Sequence, residues 1–293
     1  MIMYYIVLCV FSILVLAQDK YIIDFEKGFD LKSMLPNEML FNTSERPLSE
    51  PEIDKIKEKA LKFIPEPISN SDIIIFKTSF GDFEARLFSD KAPKNCLNFK
   101  KLANSGFYDG TKFHRVIPNF MIQAGDILSR DGNKSNDGNG GPGWTVDAEF
   151  SDIKHIRGTL SMARSPKDVN SAGSQFFICI SPQPHLDGEY TAFGEILNLD
   201  NSRINAILNH IANAITESKY AIDMSVYSIP DDEDPSNWIV LKNPRNKRTM
   251  YSKVPEGQKK DVYQREMNAK LWNNNPIVPI IIKEVRVINR ESR

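Results

Sequence analysis

The stretch Phe113-His-Arg-Val-Ile-Pro-Asn-Phe-Met-Ile-Gln-Ala-Gly-Asp126 sets one arginine and one glutamine within two short apolar runs. Pro118 and Asn119 separate the runs and are typical of a turn, so the stretch predicts a β-hairpin whose strands are at least half buried. A three-residue loop would bring Arg115 opposite Gln123 on one face of the hairpin. A two-residue loop would send these side chains to opposite faces. The register therefore decides whether a polar pair stands within an apolar wall.

The composition is that of an ordinary globular protein: 293 residues, 41% hydrophobic and 26% charged, with a formal net charge of -1. This balance argues against nucleic-acid and polybasic membrane binding, because both depend on clustered lysine and arginine. No histidine or cysteine cluster has metal-ligand spacing, so neither a metal nor another cofactor is expected. The glycine-rich segment 129–143 precedes no helix start, which argues against a phosphate-binding loop. Cys96 and Cys179 are expected to be buried thiols, although the sequence leaves a disulfide between them open.

The first residues predict export. Segment Met1–Ala17 has no charged side chain, and its apolar run Tyr5–Leu16 is shorter than the roughly 20 residues that span a bilayer. Such a run is typical of a signal peptide, with Val15 and Ala17 as small residues before a cut at Gln18. The destination would be the bacterial periplasm or medium, or the lumen of a secretory pathway. The missing positive charge near the start leaves an uncleaved anchor as the alternative.

The rest of the chain divides by its periodicity. Residues 18–70 form an extension, with a helix that starts at Ser49-Glu50-Pro51-Glu52 and a stiff linker at Ile64–Pro67. Apolar residues at helical spacing predict two further helices, near 93–105 and 202–215. Strands are predicted at 72–88 as a hairpin that turns at Gly81-Asp82, and at 158–163, 173–180, 190–196 and 277–288. Between 217 and 275 the pattern dissolves, apart from a short helix around 261–271.

The hairpin stretch, together with Gly173-Ser-Gln-Phe-Phe-Ile178 and Leu186-Asp-Gly188…Phe193-Gly194, resembles the cyclophilin-type peptidyl-prolyl isomerases. The resemblance covers about residues 72–215 and the terminal strand 277–288. It implies a mainly β fold, a closed eight-stranded antiparallel β-barrel capped by two α-helices. It also implies a division into a signal peptide 1–17, an N-terminal helical extension and linker 18–70, and a cyclophilin-like domain 71–290. An insertion at about 217–275 precedes the last strand of that domain.

The resemblance also implies the site. Arg115 would be the catalytic arginine, and Gln123 would hold it. His185 and Tyr190 stand where many relatives carry a tryptophan and a histidine, and Arg164 where many carry an asparagine. The residues implied to bind substrate in a proline pocket and a peptide groove are Phe120, Met121, Ala163, Arg164, Gln175, Phe177, His185, Leu186 and Tyr190.

Two alternatives remain open for these residues. The aromatic and methionine side chains of the implied pocket, taken alone, could equally be core residues. His185 could be a solvated turn residue that never touches substrate. His114, next to the arginine, is expected to face away from the site by strand alternation and to be structural.

The chemistry of X-Pro isomerisation suits such residues. Rotation about the bond faces a barrier of roughly 18–20 kcal/mol, because resonance gives the C–N bond partial double-bond character. No covalent bond breaks, so neither a nucleophile nor a general base is required, only groups that favour the twisted amide. A guanidinium stays charged and offers fixed donors to the imide nitrogen. An apolar pocket for the proline ring displaces water and strengthens that interaction.

The resemblance implies proline-containing polypeptides as clients, and isomerisation in exported or unfolded chains as an aid to folding. A monomer is expected. Cyclosporin binding is expected to be weakened, because His185 replaces a tryptophan that contributes to the drug site. A second hypothesis makes the barrel a binding or chaperone module whose extra segments recruit partners. Under that hypothesis, deletion of residues 217–275 would abolish partner capture and leave the isomerase rate intact.

Overall fold

The computed structural model describes residues 46–292. The predicted signal peptide 1–17 and the extension through residue 45 lie outside these residues. Within them, no helix has both the length and the apolar character needed to cross a bilayer. The helices are α1 (Glu50–Lys62), α2 (Pro93–Ser105), α3 (Ser202–Ala212), α4 (Glu217–Asp223) and α5 (Lys260–Leu271). The strands are β1 (Asp72–Thr78), β2 (Gly81–Leu87), β3 (Arg115–Ile117), β4 (Met121–Ala124), β5 (Thr159–Met162), β6 (Phe176–Cys179), β7 (Ala192–Ile196), β8 (Trp238–Lys242), β9 (Thr249–Lys253) and β10 (Ile282–Asn289).

Helix α1 begins where the sequence predicts. The backbone N–H of Ser49 and its hydroxyl both donate to the carboxylate of Glu52, at 2.9 and 2.7 Å, as expected at a helix N-terminus. Ile53 and Ala60 are buried in the main core of the molecule. The backbone N–H of Leu48 donates to the carbonyl of Arg130 at 3.0 Å. The extension is therefore packed onto the domain from residue 48 onward.

Eight strands form one antiparallel sheet in the order β10-β1-β2-β7-β5-β6-β4-β3. The sheet curls until the chain entering β3 meets the chain entering β10. There Lys112 and Ile281 form an isolated bridge, and the N–H of Phe113 donates to the carbonyl of Ile280 at 2.9 Å. The mainly β, eight-stranded cyclophilin-like fold is thus confirmed. The barrel closes only approximately, because the segments that precede β3 and β10 share this isolated bridge, and no continuous ladder joins the two strands.

The main core lies inside the curled sheet. Successive side chains of a strand point to opposite faces of the sheet, so every second side chain points inward. Among the inward side chains, the rings of Phe76 and Phe83 stack with their centres 4.8 Å apart, and Phe176 meets Phe99 edge-on at 5.4 Å. Helix α2 contributes Phe99 and packs against β7 and β10, whereas α3 packs against β2, β3 and β4. Gly106 ends α2 with a φ of 82°, a conformation that glycine adopts without strain. These two helices are the capping helices that the sequence predicts.

Several boundaries differ from the prediction, and two of these differences have a clear cause. The β1–β2 hairpin turns at Ser79 and Phe80, since Thr78 already pairs with Gly81, so the Gly81-Asp82 pair belongs to β2. The last strand starts at Ile282 and not at 277, because Pro276 and Pro279 have no N–H for a ladder.

Cys96 and Cys179 are both buried and free, so no disulfide joins them. Burial raises the pKa of each thiol to about 12.

The segment predicted as a loosely patterned insertion, 217–275, contains α4, β8, β9 and α5. Its helices and its two-stranded sheet enclose an apolar cluster separate from the main core, formed by Ala221, Ile239, Leu241, Met250, Tyr263, Met267 and Leu271. The sequence predicts α5 within one residue but misses the β8–β9 hairpin. Each of these strands has only two or three inward side chains, too few for a clear period. Thr216 and Pro276 form a bridge, so the insertion leaves and rejoins the domain at one point.

Candidate active site

The β3–β4 hairpin adopts the three-residue loop. Arg115 pairs with Gln123 and Ile117 with Met121, so the side chains of all four residues share one face of the sheet. Asn119 in the loop has a φ of 59°, a left-handed conformation that asparagine tolerates better than most residues. This observation confirms the register that places the arginine beside the glutamine.

A cavity of about 470 Å³ opens on this face. All but two of the predicted site residues line it. The exceptions are Gln175, which hydrogen-bonds to the lining residue Gln123, and His185, which is exposed and stacks on Phe120 with a centroid distance of 5.8 Å. The predicted residues that line the cavity are Arg115, Phe120, Met121, Gln123, Ala163, Arg164, Phe177, Leu186 and Tyr190.

A chain of side-chain amides orients the arginine. Nη1 of Arg115 donates to Oε1 of Gln123 at 3.1 Å. Nε2 of Gln123 donates to Oε1 of Gln175 at 2.9 Å. Nε2 of Gln175 in turn donates to the carbonyls of Gly138 and Gly140, at 2.9 and 2.8 Å. The oxygen of each amide thus accepts a hydrogen bond from the side of the arginine, and its nitrogen donates one toward the glycine-rich loop. This arrangement fixes the orientation of both amides.

The glycine-rich loop anchors the far end of this chain. Buried Asp126 accepts hydrogen bonds from the backbone N–H of Leu128 at 2.7 Å and from that of Gly138. A Cβ added at Gly140 would lie 1.9 Å from Oδ1 of Asp126, so only glycine fits there. Desolvation raises the pKa of Asp126 above its ordinary value. The sequence argues against a phosphate-binding role for this loop but gives no sign that its carbonyls support the arginine.

The electrostatics of the site rest on Arg115. Its side chain reaches the open groove, yet the protein around the guanidinium desolvates it enough to lower its pKa somewhat. The group remains charged at any working pH, since its ordinary pKa lies above 12. A partly desolvated cation interacts more strongly with a bound dipole than a fully hydrated one.

Next to the arginine lies an apolar pocket. Met121, Phe177 and Leu186 are buried together in a cluster distinct from the main core. Strand alternation explains the separation, because the neighbours of Met121 and Phe177 point into the main core instead. The ring of Phe177 meets that of Tyr190 edge-on at 5.7 Å. These side chains therefore form an apolar wall of the cavity.

Arg164 forms one side of the groove. Its guanidinium lies 4.5 Å from the centre of the Tyr190 ring, and its Nε donates to the carbonyl of Glu189 at 3.1 Å. Its Nη1 donates to the carbonyl of Ser165 at 3.1 Å. The side chain is thus held against the groove wall by stacking and by backbone carbonyls.

Comparison with known proteins identifies the family. The model of the family described as cyclophilin type peptidyl-prolyl cis-trans isomerase/CLD matches residues 73–230, more than half of the chain. The chain belongs to the cyclophilin-type peptidyl-prolyl cis-trans isomerases.

Individual relatives are named as peptidyl-prolyl cis-trans isomerases. A peptidyl-prolyl cis-trans isomerase of Synechococcus elongatus is 47% identical over 121 residues, which cover 41% of this chain and 77% of that protein. Peptidyl-prolyl cis-trans isomerase B of Bacillus subtilis is 47% identical over 115 residues, covering 39% and 74%. A crystal structure of a Cryptosporidium parvum cyclophilin type isomerase with the dipeptide Ala-Pro aligns with a TM-score of 0.49 at 28% identity, covering 74% of this chain and 98% of that one.

One feature of this cyclophilin-type isomerase has the residue types of a hydrolase triad. The buried ring of His155 lies between Asp187, with Nδ1 to Oδ1 at 3.1 Å, and Ser161, with Nε2 to Oγ at 3.0 Å. Ser161 has no exposed surface, so no substrate could reach its hydroxyl. The His155 ring stacks on Phe177 at 6.2 Å. The arrangement therefore supports the floor of the pocket and the turn at Asp187.

The structure corrects the expectation for His114. The residue lies just before β3 and not within it, and it borders the cavity that strand alternation was expected to turn it away from, although only 4% of its surface is exposed. The sequence also missed lining residues that lie outside the family motifs, namely Lys134, Asp137 and Gly138 of the glycine-rich loop, Pro166, and Trp272, Asn273, Asn274 and Asn275 of the insertion. No sequence period links these segments to the hairpin, because only tertiary packing brings them together.

Proposed function

We propose that this cyclophilin-type isomerase acts on X-Pro bonds of exported or unfolded polypeptides and thereby assists their folding. One observation carries the proposal: the Arg115 guanidinium stands beside the apolar pocket of Met121, Phe177 and Leu186, oriented by Gln123. A proline ring that fills this pocket brings its imide nitrogen within reach of the arginine. Proline-containing polypeptides are the clients that such a pocket fits.

In the mechanism, Arg115 is the catalytic residue. The imide nitrogen regains a lone pair as the amide twists, and a fixed guanidinium N–H donates to that lone pair. The planar cis and trans forms lack the lone pair, so the interaction favours the twisted state over both. Gln123 is a positioning residue, since it fixes the donor before the client arrives and so reduces the cost of ordering it.

The remaining lining residues bind the peptide around the proline. Phe120 and Tyr190 extend the apolar wall, Ala163 and Arg164 lie along the groove, and Gln175 supports the groove through its hydrogen bond with Gln123. His185 stacks on Phe120 at the outer rim of the pocket. A small imidazole at this place offers less apolar contact than an indole, so we expect weak cyclosporin binding. We propose a monomer.

Export is proposed on the apolar, uncharged leader Met1–Ala17. N-terminal sequencing of the protein recovered from its native compartment tests this point. A first residue of Gln18 supports cleavage by a signal peptidase. Recovery of the intact N-terminus from a membrane fraction supports an uncleaved anchor, and recovery of intact protein from the cytosol contradicts export.

The Arg115→Ala variant tests the activity and its mechanism. Loss of one preorganised donor typically lowers the rate about 10²–10³-fold, so we expect a fall of that order in kcat/KM for X-Pro peptides. Arg203→Ala is a matched control, because Arg203 is an exposed arginine on α3 outside the cavity. NMR exchange spectroscopy between the cis and trans peptide forms measures the rate without a coupling protease.

The results of this assay distinguish failure of the proposed mechanism from failure of the proposed function. An active wild type, an active Arg203→Ala variant and an Arg115→Ala variant reduced 10²-fold support the proposal. Equal rates for Arg115→Ala and wild type would refute the role of the arginine. A wild type without activity on any X-Pro peptide would refute the proposed function itself.

A further inference from the structure

One large apolar side chain stands exposed at the active-site cavity. Trp272 caps the C-terminus of α5, lines the cavity together with Arg115, and is 68% exposed. The other two tryptophans of the chain are covered: Trp238 is buried, and Trp144 is half-buried and donates from Nε1 to Asn98 at 2.8 Å. Single exposed apolar side chains are common on protein surfaces, so exposure alone assigns no role. Its place in the cavity wall distinguishes Trp272.

The backbone on both sides of Trp272 is fixed by one buried residue. The carbonyl of Leu271 accepts a hydrogen bond from the hydroxyl of Ser218 at 2.9 Å. The carbonyl of Asn273 accepts one from the backbone N–H of the same serine at 2.8 Å. The indole is therefore presented by an ordered backbone, which lowers the entropic cost of binding a ligand on it.

The segment that carries Trp272 runs beside the arginine strand. Met121 of the apolar pocket lies on β4, and Arg115 lies on the neighbouring strand β3. On the other edge of β3, the backbone N–H of Val116 donates to the carbonyl of Asn274 at 3.0 Å. Trp272 is two residues from Asn274, and two residues span at most about 7 Å. The cavity wall thus continues from the pocket past Arg115 to an indole that lies beyond the range 73–230 matched by the family model.

We propose that Trp272 binds an aromatic side chain of the client, at a position within two residues of the proline. The inference rests on the proposed function, because the client must first place its proline in the pocket. The cavity of about 470 Å³ has the size of pockets that hold drug-sized ligands, far larger than one proline ring. Neighbouring strands lie about 4.8 Å apart and two extended residues span about 7 Å, so a flanking residue with a long side chain reaches past β3.

The surroundings of the indole favour an aromatic client residue over a charged one. Aromatic rings pack on one another edge-on or offset and gain more than the burial of their area alone. A basic client residue would meet like charge, because Nζ of Lys247 already lies 5.3 Å from the centre of the indole ring, held there by a hydrogen bond to the carbonyl of Pro244 at 2.9 Å. An acidic client residue would pair with Lys247 and leave the indole exposed.

The test is a peptide panel. Each peptide carries one proline, and Phe, Ala, Lys or Glu stands at one of the two positions before it or the two after it. The readout is the ratio of kcat/KM for the Phe peptide to that for the Ala peptide. We expect a ratio of about 3–10 at one flanking position for the wild-type protein. The gain should lie in KM, because the ring contact does not change as the amide twists. At that position the Lys peptide should be a poorer substrate than the Ala peptide.

Two variants probe the indole, and one serves as a matched control. Trp272→Ala removes the ring, so we expect the Phe-to-Ala ratio to fall toward one. Trp272→Phe restores an aromatic ring and should keep most of the ratio. Tyr227→Ala should keep all of it. Tyr227 is likewise an exposed aromatic residue of the insertion with a cation over its ring, the guanidinium of Arg248 at 4.4 Å, but it lies outside the cavity.

A preference for Phe that Trp272→Ala loses and Tyr227→Ala keeps supports the inference. With isomerase activity intact, three results overturn it: no preference for Phe at any position, a preference for Glu over Phe, or a preference for Phe that Trp272→Ala retains. Equal losses in Trp272→Ala and Tyr227→Ala overturn it as well. Should Trp272→Ala fail to fold by circular dichroism, Trp272→Gln, which keeps a long side chain, decides in its place. Absence of activity on every peptide would instead refute the proposed function.

Discussion

At the scale of single residues, the guanidinium of Arg115 depends on groups far from it in sequence. Gln123 lies across the hairpin, Gln175 lies on β6, and the carbonyls of Gly138 and Gly140 lie in the glycine-rich loop. Each link satisfies one donor and one acceptor, so the loss of one link releases those that follow. The arginine is preorganised by this network and not by its strand alone.

Gln123→Ala tests this dependence. We expect kcat to fall about 10-fold, equivalent to about 1.4 kcal/mol, because the side chain loses one hydrogen bond that fixes it and the guanidinium must be ordered during the reaction. KM should change little. In the Arg115→Ala background the same substitution should have no further effect, since the two residues act as one unit. A further 10-fold loss in that background would mean that Gln123 acts on the client directly.

His114 predicts a pH dependence of stability. Its folded pKa of about 4 lies below the unfolded value near 6.5, because burial disfavours the charged ring. The unfolded chain therefore binds the proton first, so its contribution is fully present above pH 6.5 and is lost as the pH falls toward 4. From pH 7 to pH 5 we expect a loss of about 2 kcal/mol in unfolding free energy that the His114→Phe variant does not show. Urea unfolding at both pH values measures it, and equal losses would contradict it.

At the scale of elements, an ion pair joins α2 to the start of β1. Nζ of Lys100 lies 2.7 Å from Oδ2 of Asp72, and both side chains are almost fully buried. Nζ also donates to the carbonyl of Pro67 at 2.9 Å, which ties the linker to the same point. Among the described residues, Oδ1 of Asp72 has no hydrogen-bond partner. Because Oδ2 accepts otherwise only from the backbone N–H of Ser69, at 3.0 Å, the carboxylate depends on the lysine for most of its compensation.

Lys100→Met should destabilise the protein by about 3–5 kcal/mol, because it leaves a buried carboxylate unpaired. Lys94→Met on the same helix is the control, since its pair with Asp147 is exposed and exposed pairs contribute about 0–1 kcal/mol. Adding Asp72→Leu to Lys100→Met should recover part of the loss. Denaturant unfolding measures all three, and equal costs for Lys100→Met and Lys94→Met would contradict the account.

At the scale of the whole molecule, the insertion has a core separate from that of the domain but is joined to the active-site segments by hydrogen bonds. The insertion encloses an apolar cluster separate from the main core. The chain leaves the domain and rejoins it at the bridge between Thr216 and Pro276. The last residues of the insertion nevertheless bond to β3 through Asn274 and to the glycine-rich loop through Asn275. The expectation that its deletion leaves the isomerase rate intact is therefore not supported by this arrangement.

Replacement of Glu217–Asn275 by a short Gly-Ser linker tests the coupling. The chain should still fold, because the main core contains no residue of the insertion. Loss of the Val116–Asn274 hydrogen bond should cost about 1 kcal/mol, a fall in Tm of about 2–4 °C. We expect kcat/KM to fall several-fold, since one wall of the groove is gone. An unchanged rate together with lost partner capture would favour the binding-module hypothesis instead.

The hairpin and its two companion motifs were sufficient to predict the fold, the face that carries Arg115 and Gln123, and most of the apolar pocket. The fold and the pocket follow from the resemblance of these motifs to the family, whereas turn chemistry and strand alternation place Arg115 and Gln123 on one face only if the loop has three residues. The place of His114, the glycine-loop carbonyls and Asn274 could not be read in this way. Each depends on segments far apart in the chain that meet only when the sheet curls and the insertion folds back, and no local period records that meeting.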